Sequence, residues 1–186
     1  KVEQKKKIVK TQQSYACLSQ FESPVLIEEL LNDALQINAI SIERYNIKVV
    51  SECHEKGPLT MDRQKVLQIL VNLISNAKDA LAEKNGNEKI LHLKTYRKDK
   101  YFCIEVIDNG IGIEPDQLNI IFQHGFTTKK DGHGFGLHSS ALAANEMNGK
   151  LEASSDGIGA GAKFVLRFLC KPTPQAGARL GNPDRL

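Results

Sequence analysis

The sequence lacks a strong charge imbalance, paired cysteines and long apolar runs, and each absence excludes a class of protein. Its 186 residues carry a formal net charge of only +3, whereas nucleic-acid-binding domains are usually strongly basic. Its four cysteines form no CxxC pair, so neither a zinc site nor a disulfide framework is predicted, and reduced thiols are typical of the cytosol. No apolar run reaches the roughly 18 residues of a membrane span. We therefore expect a cytoplasmic domain with no signal peptide, no membrane contact of its own and no nucleic-acid partner.

Two common phosphate-binding motifs are also missing. Neither GxxxxGK(S/T) nor GxGxxG occurs in the sequence, which disfavours a P-loop and a Rossmann cofactor site. Three glycine clusters are nevertheless present, at residues 110–112, 132–136 and 157–161. Each alone is more typical of a turn. The middle cluster, however, leads directly into a predicted helix, and the free N–H groups at a helix N-terminus attract phosphate.

The hydrophobic pattern predicts an α+β fold. Helices are expected over residues 62–82, over residues 137–147 and in a segment that starts with Ser23 as N-cap and Pro24 as first helical residue. Alternating and β-branched residues predict strands at 47–50, 89–96, 101–107, 151–153 and 163–169. Helices come first and strands mixed with helices follow, which favours a two-layer α/β sandwich with a mostly antiparallel sheet covered by helices on one face.

The chain divides into three predicted parts. Residues 1–22 look helical, but their apolar positions are too sparse for a domain of their own, so we interpret them as the end of a longer dimerisation helix. Residues 23–171 form the main domain. Residues 172–186 contain prolines, glycines and arginines but few large apolar side chains, and a flexible tail is expected there.

Three short polar side chains interrupt the apolar pattern of the helix predicted at 62–82. Asn72, Asn76 and Asp79 fall on one face at about 100° per residue, although asparagine is a mediocre helix former. Near a polyphosphate, a carboxamide oxygen can hold Mg²⁺ or its waters without adding negative charge. A solvated polar face is the plainer alternative.

Asp108 ends a predicted strand and opens the first glycine cluster. A carboxylate in that position can accept a hydrogen bond from an exocyclic amine such as that of adenine. An ordinary Asp-Asn-Gly turn is the alternative interpretation. The region from 114 to 136 that follows shows little regular periodicity, and long irregular segments inside a compact domain are usually functional.

The order of these signals resembles the Bergerat-type ATP-binding fold of sensor histidine kinases, type II topoisomerases, mismatch-repair ATPases and the large heat-shock chaperone. The likeness spans about residues 24–169. The asparagine box, first glycine box, phenylalanine box, second glycine box and closing glycine motif of that family resemble residues 72–77, 108–113, 121–129, 132–137 and 159–164.

The resemblance implies that the domain binds ATP with Mg²⁺. Asn76 would coordinate the metal, and Asp108 would bind the adenine amine. Asn72, Asn76 and Lys129 are the implied catalytic residues. The other residues implied to lie at the nucleotide are Asp79, Gly110, Gly112, Ile113, Phe122, Phe126, Thr127, Thr128, Gly132, His133, Gly134, Phe135, Gly136, Leu137 and Lys163.

Asn72 separates the branches of the family. The hydrolysing branches place a glutamate one helical turn before the magnesium asparagine, where it acts as general base. An amide cannot take a proton, but histidine is itself a nucleophile and needs no such base. The sequence therefore resembles the catalytic domain of a sensor histidine kinase, and most closely the nitrogen-regulation type.

Three features depart from the kinase pattern. Asp79 stands where many histidine kinases have a lysine, and Ala162 replaces the usual threonine of the closing motif. No His-Glu/Asp-x-x-x-Pro acceptor box occurs, and the histidines are His54, His92, His124, His133 and His138. We therefore expect the acceptor histidine on an upstream helix of this or a dimer-mate chain, a homodimeric full-length protein and a response-regulator receiver domain as the next partner.

Two other functions stay open at this point. One is a stand-alone ATPase of the same superfamily that uses closure over ATP to drive a conformational cycle. The other is a nucleotide-gated binding module without kinase activity.

Overall fold

The computed structural model describes residues 22–55, 57–84, 86, 88–129 and 134–172. The helices of this described part are α1 (Ile27–Arg44), α2 (Arg63–Glu83) and α3 (Gly136–Glu146). Its strands are β1 (Glu22–Val25), β2 (Ile47–Cys53), β3 (Leu59–Asp62), β4 (Lys89–Lys98), β5 (Tyr101–Asp108), β6 (Lys150–Ser154), β7 (Ala162–Leu169) and β8 (Lys171–Pro172). Residues 1–21 of the predicted stub and 173–186 of the predicted tail lie outside the described residues.

The main sheet has five strands in the order β2-β4-β5-β7-β6. Strands β2 and β4 run parallel, and the other neighbours are antiparallel. The even-numbered residues 102–108 of β5 and 162–168 of β7 are buried, because this face packs under the helices. Helix α2 contacts β4 and β5, while α1 contacts β2 and α3 contacts β6 and β7. The predicted α+β sandwich with a mixed, mostly antiparallel sheet is confirmed.

Helix α2 is the central element of the helical layer. Asp62 caps its N-terminus by accepting a hydrogen bond from the backbone N–H of Lys65 at 3.1 Å, which satisfies one of the otherwise unpaired N–H groups of the first turn. Its buried side chains recur at helical spacing and are Val66, Ile69, Leu70, Leu73, Ile74, Ala77 and Leu81. Helices α1 and α3 pack against it. The prediction of 62–82 is thus right to within one residue.

A second, three-stranded sheet was not predicted. Its strands have the antiparallel order β1-β3-β8, and Ser23 and Pro24 pair with Met61 and Thr60. The prediction that Ser23 and Pro24 start a helix is therefore wrong: α1 begins at Ile27, without a side-chain cap. Local sequence favours a helix start, but the distant pairing with β3 takes precedence, and proline is tolerated in an edge strand.

The other predicted helix and strands are present at the expected positions, and the observed strands are somewhat longer than the predicted ones. Residues 114–129 contain turns but neither helix nor strand, as expected. Asn148 adopts a positive φ of 54°, and the N–H of Gly149 donates to the carbonyl of Ala144 at 2.9 Å, which closes α3. Within the described ranges, no helix combines the length and the apolar composition that crossing a bilayer requires.

Candidate functional site

The polar face of α2 carries a tight group of charges. The Lys129 ammonium lies 3.0 Å from Asn76 Oδ1 and 2.5 Å from Asp79 Oδ2. Lys78 Nζ lies 2.9 Å from the other carboxylate oxygen, Asp79 Oδ1. Partial burial acts to raise the pKa of Asp79, but hydrogen bonds from Lys129 and Lys78 outweigh it, and the pKa lies below its ordinary value. Asp79 is therefore an ionised carboxylate at neutral pH.

This group suits a metal ion. The oxygens of Asn76 and Asp79 already converge on one cation, the Lys129 ammonium, and oxygen is the ligand that Mg²⁺ prefers. Among the described residues, no cluster of three or more His, Cys, Asp or Glu side chains is placed to hold a metal. Bound Mg²⁺ would therefore take its other ligands from nucleotide phosphates and water, as it usually does in such sites.

Asn72 lies one helical turn before Asn76 but faces a different neighbour. Its Nδ2 donates to Ser140 Oγ of α3 at 2.9 Å, and Ser140 is buried. A Cβ added at Gly136, the first residue of α3, would lie 2.3 Å from Asn72 Oδ1. The Asn72 amide therefore joins α2 to the start of α3.

Asp108 is a buried carboxylate at the end of β5, with 4% of its surface exposed. Its Oδ1 accepts a hydrogen bond from the N–H of Gly110 at 2.8 Å. Burial raises the pKa of Asp108 to about 6, against the opposing effects of the Gly110 and Ala162 N–H groups and of the Lys84 charge. A carboxylate that is this poorly solvated has a strong tendency to accept a further hydrogen bond.

Close backbone approaches explain the glycines that follow Asp108. A Cβ at Gly110 would lie 2.7 Å from the carbonyl carbon of Ala80 in α2, and the Ile111 N–H donates to the Ala80 carbonyl at 3.2 Å. Gly112 has a φ of +77°, and its added Cβ would lie 2.1 Å from the Gly157 carbonyl oxygen. Only glycine fits both positions without a shift of the backbone.

Sequence reasoning missed two residues that hold this region together. Ser155 Oγ accepts from the N–H of Ile113 at 3.0 Å and donates to the Gly161 carbonyl at 2.6 Å. Asn109 Oδ1 accepts from the N–H of Ile90 at 2.8 Å. Serine and asparagine often bind nearby backbone groups, but nothing in the sequence marks these two among the others.

The predicted phenylalanine segment approaches α2 through its last residue. Phe122 and Phe126 are partly buried against the core, while Thr127, Thr128 and Lys129 are exposed. The Lys129 N–H donates to Thr127 Oγ1 at 3.1 Å. The aromatic residues therefore anchor a polar end that contacts Asn76 and Asp79 through Lys129.

The described part of the second glycine segment leads into α3. Gly134 has a φ of +69° and its carbonyl accepts from the Gly125 N–H at 3.2 Å. Phe135 is half-exposed, Gly136 begins the helix, and Leu137 packs against the core. The helix start thus lies beside Asn72 and close to the phenylalanine segment.

One predicted site residue, Lys163, faces away from this group. Gly132 and His133 lie outside the described residues. Lys163 is exposed between buried Ala162 and Phe164 in β7, so its side chain points to the sheet face opposite the helices.

The sequence comparisons identify the class of protein. Residues 61–172 match the family model described as Histidine kinase-, DNA gyrase B-, and HSP90-like ATPase, and the chain belongs to this family. It is 29% identical over 165 residues to the sensor protein CitS of Halalkalibacterium halodurans, covering 88% of this chain and 30% of that protein. It is 31% identical over 153 residues to the C4-dicarboxylate transport sensor protein DctS of Rhodobacter capsulatus, covering 82% of this chain and 23% of that protein.

Solved structures confirm the fold. Full-length ShkA in complex with AMPPNP superimposes with a TM-score of 0.72 at 23% identity, covering 82% of this chain and 32% of ShkA. The catalytic domain of the histidine kinase ThkA gives a TM-score of 0.70 at 23% identity, covering 80% of this chain and 95% of that domain. The homologues are sensor histidine kinases, and the described domain corresponds to their ATP-binding catalytic module. The chain spans less than a third of the length of CitS and DctS.

Proposed function

We propose that this domain transfers the γ-phosphoryl group of Mg-ATP to a histidine on a dimerisation helix, for onward relay to an aspartate of a response regulator. The proposal rests mainly on Asn72. Its amide stands where the hydrolysing relatives have a general base, and it donates a hydrogen bond to Ser140. A histidine acceptor needs no base to activate it. The site therefore suits phosphoryl transfer to histidine better than attack by water.

Each part of the nucleotide has a candidate partner. Asp108 accepts from the adenine amine, and Gly110 and Gly112 let the backbone approach the base closely. Asn76 holds Mg²⁺, which neutralises charge on the phosphates. Lys129 binds a phosphate oxygen once its ammonium leaves Asn76. Catalysis would come from positioning and charge neutralisation, with little acid-base work.

The partners follow from the same proposal. The acceptor helix belongs to this protein or to its dimer mate, and a receiver domain accepts the phosphate afterwards. The full-length protein would act as a homodimer with this domain in the cytoplasm. Support comes from the family match and from the names of the sensor relatives.

Calorimetric titration with a non-hydrolysable ATP analogue tests the site. We expect Asn76→Ala to weaken binding at least about tenfold in the presence of Mg²⁺, and Asp108→Asn to weaken it with or without metal, since one hydrogen bond to a charged group amounts to about 1.5–3 kcal/mol. Asn38→Ala is the control, because the Asn38 amide donates to the Ala34 carbonyl within α1. Unchanged affinity in both site variants would overturn the assignment.

The transfer reaction needs the full-length protein. Incubation with γ-labelled ATP should give an acid-labile, base-stable phosphate, as expected for phosphohistidine. Steady phosphate release by the domain alone, abolished by Asn72→Ala, would instead indicate an ATPase. Nucleotide binding without either label or release would indicate a binding module.

A further inference from the structure

Two oxygens of α2 point at a single cation. Lys129 Nζ contacts both Asn76 Oδ1 and Asp79 Oδ2. We propose that Asn76 and Asp79 form one cation site, which the Lys129 ammonium occupies before the divalent metal and gives up to it when Mg-nucleotide binds. Asp79 then supplies the metal with a second oxygen ligand from the protein, in addition to that of Asn76. This inference rests on the proposed nucleotide site.

The local geometry leaves one oxygen of Asp79 for this site. Lys78 holds Asp79 Oδ1 at 2.9 Å, while Oδ2 faces Lys129. Asn76 and Asp79 are three residues apart in α2, and residues at this spacing are neighbours on a helix surface. The Asp79 side chain is 30% exposed, so the site opens toward solvent, from which metal and nucleotide enter.

Charge explains why the two cations exclude each other. An ammonium and a divalent ion cannot share the same two oxygens, because like charges within about 4 Å repel strongly away from bulk water. The Lys129 side chain is 42% exposed, and Lys129 ends the segment 114–129, which lacks helix and strand. It is therefore free to turn toward phosphate oxygens when the metal takes its place.

The effect of Asp79 on nucleotide affinity should depend on whether the metal is bound. A carboxylate beside a polyphosphate repels it unless a cation lies between them. Asp79 therefore favours nucleotide only in the metal-bound form and opposes it in the metal-free form. A lysine at this position would act in the opposite sense, since it would attract phosphate without metal.

Calorimetry on the purified domain can measure both forms, with Mg²⁺ and with a chelator, using a non-hydrolysable ATP analogue. Asp79→Asn should weaken the Mg²⁺ complex about tenfold or more, while metal-free binding stays equal or tightens. Glu83→Gln is the matched control, because Glu83 is exposed one helical turn away and the change also removes one negative charge. If Asp79 only tethered Lys129, Asp79→Asn would tighten the Mg²⁺ complex, and this result would overturn the inference.

Binding of Mn²⁺ alone, followed by water-proton relaxation, provides a second test without nucleotide. Lys129→Met should strengthen Mn²⁺ binding because it removes the competing ammonium, whereas Asp79→Asn should weaken it. Shifts of the same sign in both variants, or no shift in either, would refute a shared site. Failure of the unsubstituted domain to bind Mg-nucleotide at all would instead refute the proposed function, so the two failures are distinguishable.

Discussion

Replacing Asp108 with asparagine should stabilise the nucleotide-free domain while weakening the adenine binding that we propose for it. The carboxylate is 4% exposed, and its charge is solvated mainly by backbone N–H groups. An amide of the same shape carries no charge to desolvate. It cannot, however, present two acceptor oxygens to the Gly110 N–H and to an incoming amine.

The magnitude follows from the pKa of Asp108. Burial raises the pKa from 3.8 to about 6, and at about 1.4 kcal/mol per unit this costs about 3 kcal/mol at neutral pH. The amide oxygen is a weaker hydrogen-bond acceptor than the carboxylate, and this difference offsets about 1–2 kcal/mol of the gain in stability. The net gain of about 1–2 kcal/mol should raise the melting temperature by about 2–8 °C for a chain of this size.

The stability gained by Asp108→Asn should increase as the pH rises. Because the folded-state pKa of Asp108 lies above the unfolded one, its stability contribution is complete below about pH 4 and is lost as the pH rises through about 6. The asparagine variant has no such loss. The difference in melting temperature should therefore rise with pH: near pH 4 the variant should melt at the same or a lower temperature than the unsubstituted domain, and above pH 6 it should melt higher by the full amount.

Thermal unfolding followed by circular dichroism, at several pH values and without nucleotide, measures this difference. Asp116→Asn is the matched control because Asp116 is exposed, and it should change little. The reasoning fails if Asp108→Asn melts at the same or a lower temperature at pH 7.5, or if the difference does not change with pH. Adding Mg-nucleotide should raise the melting temperature of the unsubstituted domain by more than that of the Asp108 variant, because the variant binds nucleotide more weakly.

Three further predictions follow from the same region. Lys84→Met should raise the pKa of Asp108, because the Lys84 charge lowers it, and the acid limb of a nucleotide-affinity profile should move to higher pH. Gly112→Ala should destabilise the domain by more than Gly86→Ala in chemical denaturation, since both glycines have a φ of +77° but only the first meets another backbone. Ser140→Ala should cost about 1–3 kcal/mol in the same assay, because it leaves a partly buried amide unpaired.

Features set by local sequence could be predicted. The bounds of helix α2 are predictable to within one residue because its apolar side chains recur at helical spacing, a pattern set within a few residues of chain. The glycines at 110 and 112 could be recognised because their order along the chain resembles a known family. Their physical cause, the approach of Ala80 and Gly157, is visible only in the structure.

Features set by distant pairing could not be predicted. Ser23 and Pro24 have the local pattern of a helix start, yet residues near position 60 pair with them as a strand. Ser155 belongs to no motif, and its role arises because the connection between β6 and β7 lies beside the segment that follows β5. The outward direction of Lys163 likewise depends on strand register.

The hydrogen bonds of Ser155 limit how the domain can vary in evolution or design. Ser155 Oγ and the Gly159 N–H bind Ile113 and Ile111 of the segment after β5, so the connection between β6 and β7 has to keep its length to reach them. An insertion there would shift the donors and acceptors that support the segment around Gly110 and Gly112. Tags and sensor insertions are better placed at the β4–β5 turn around Asp99, at the far end of the sheet from this segment.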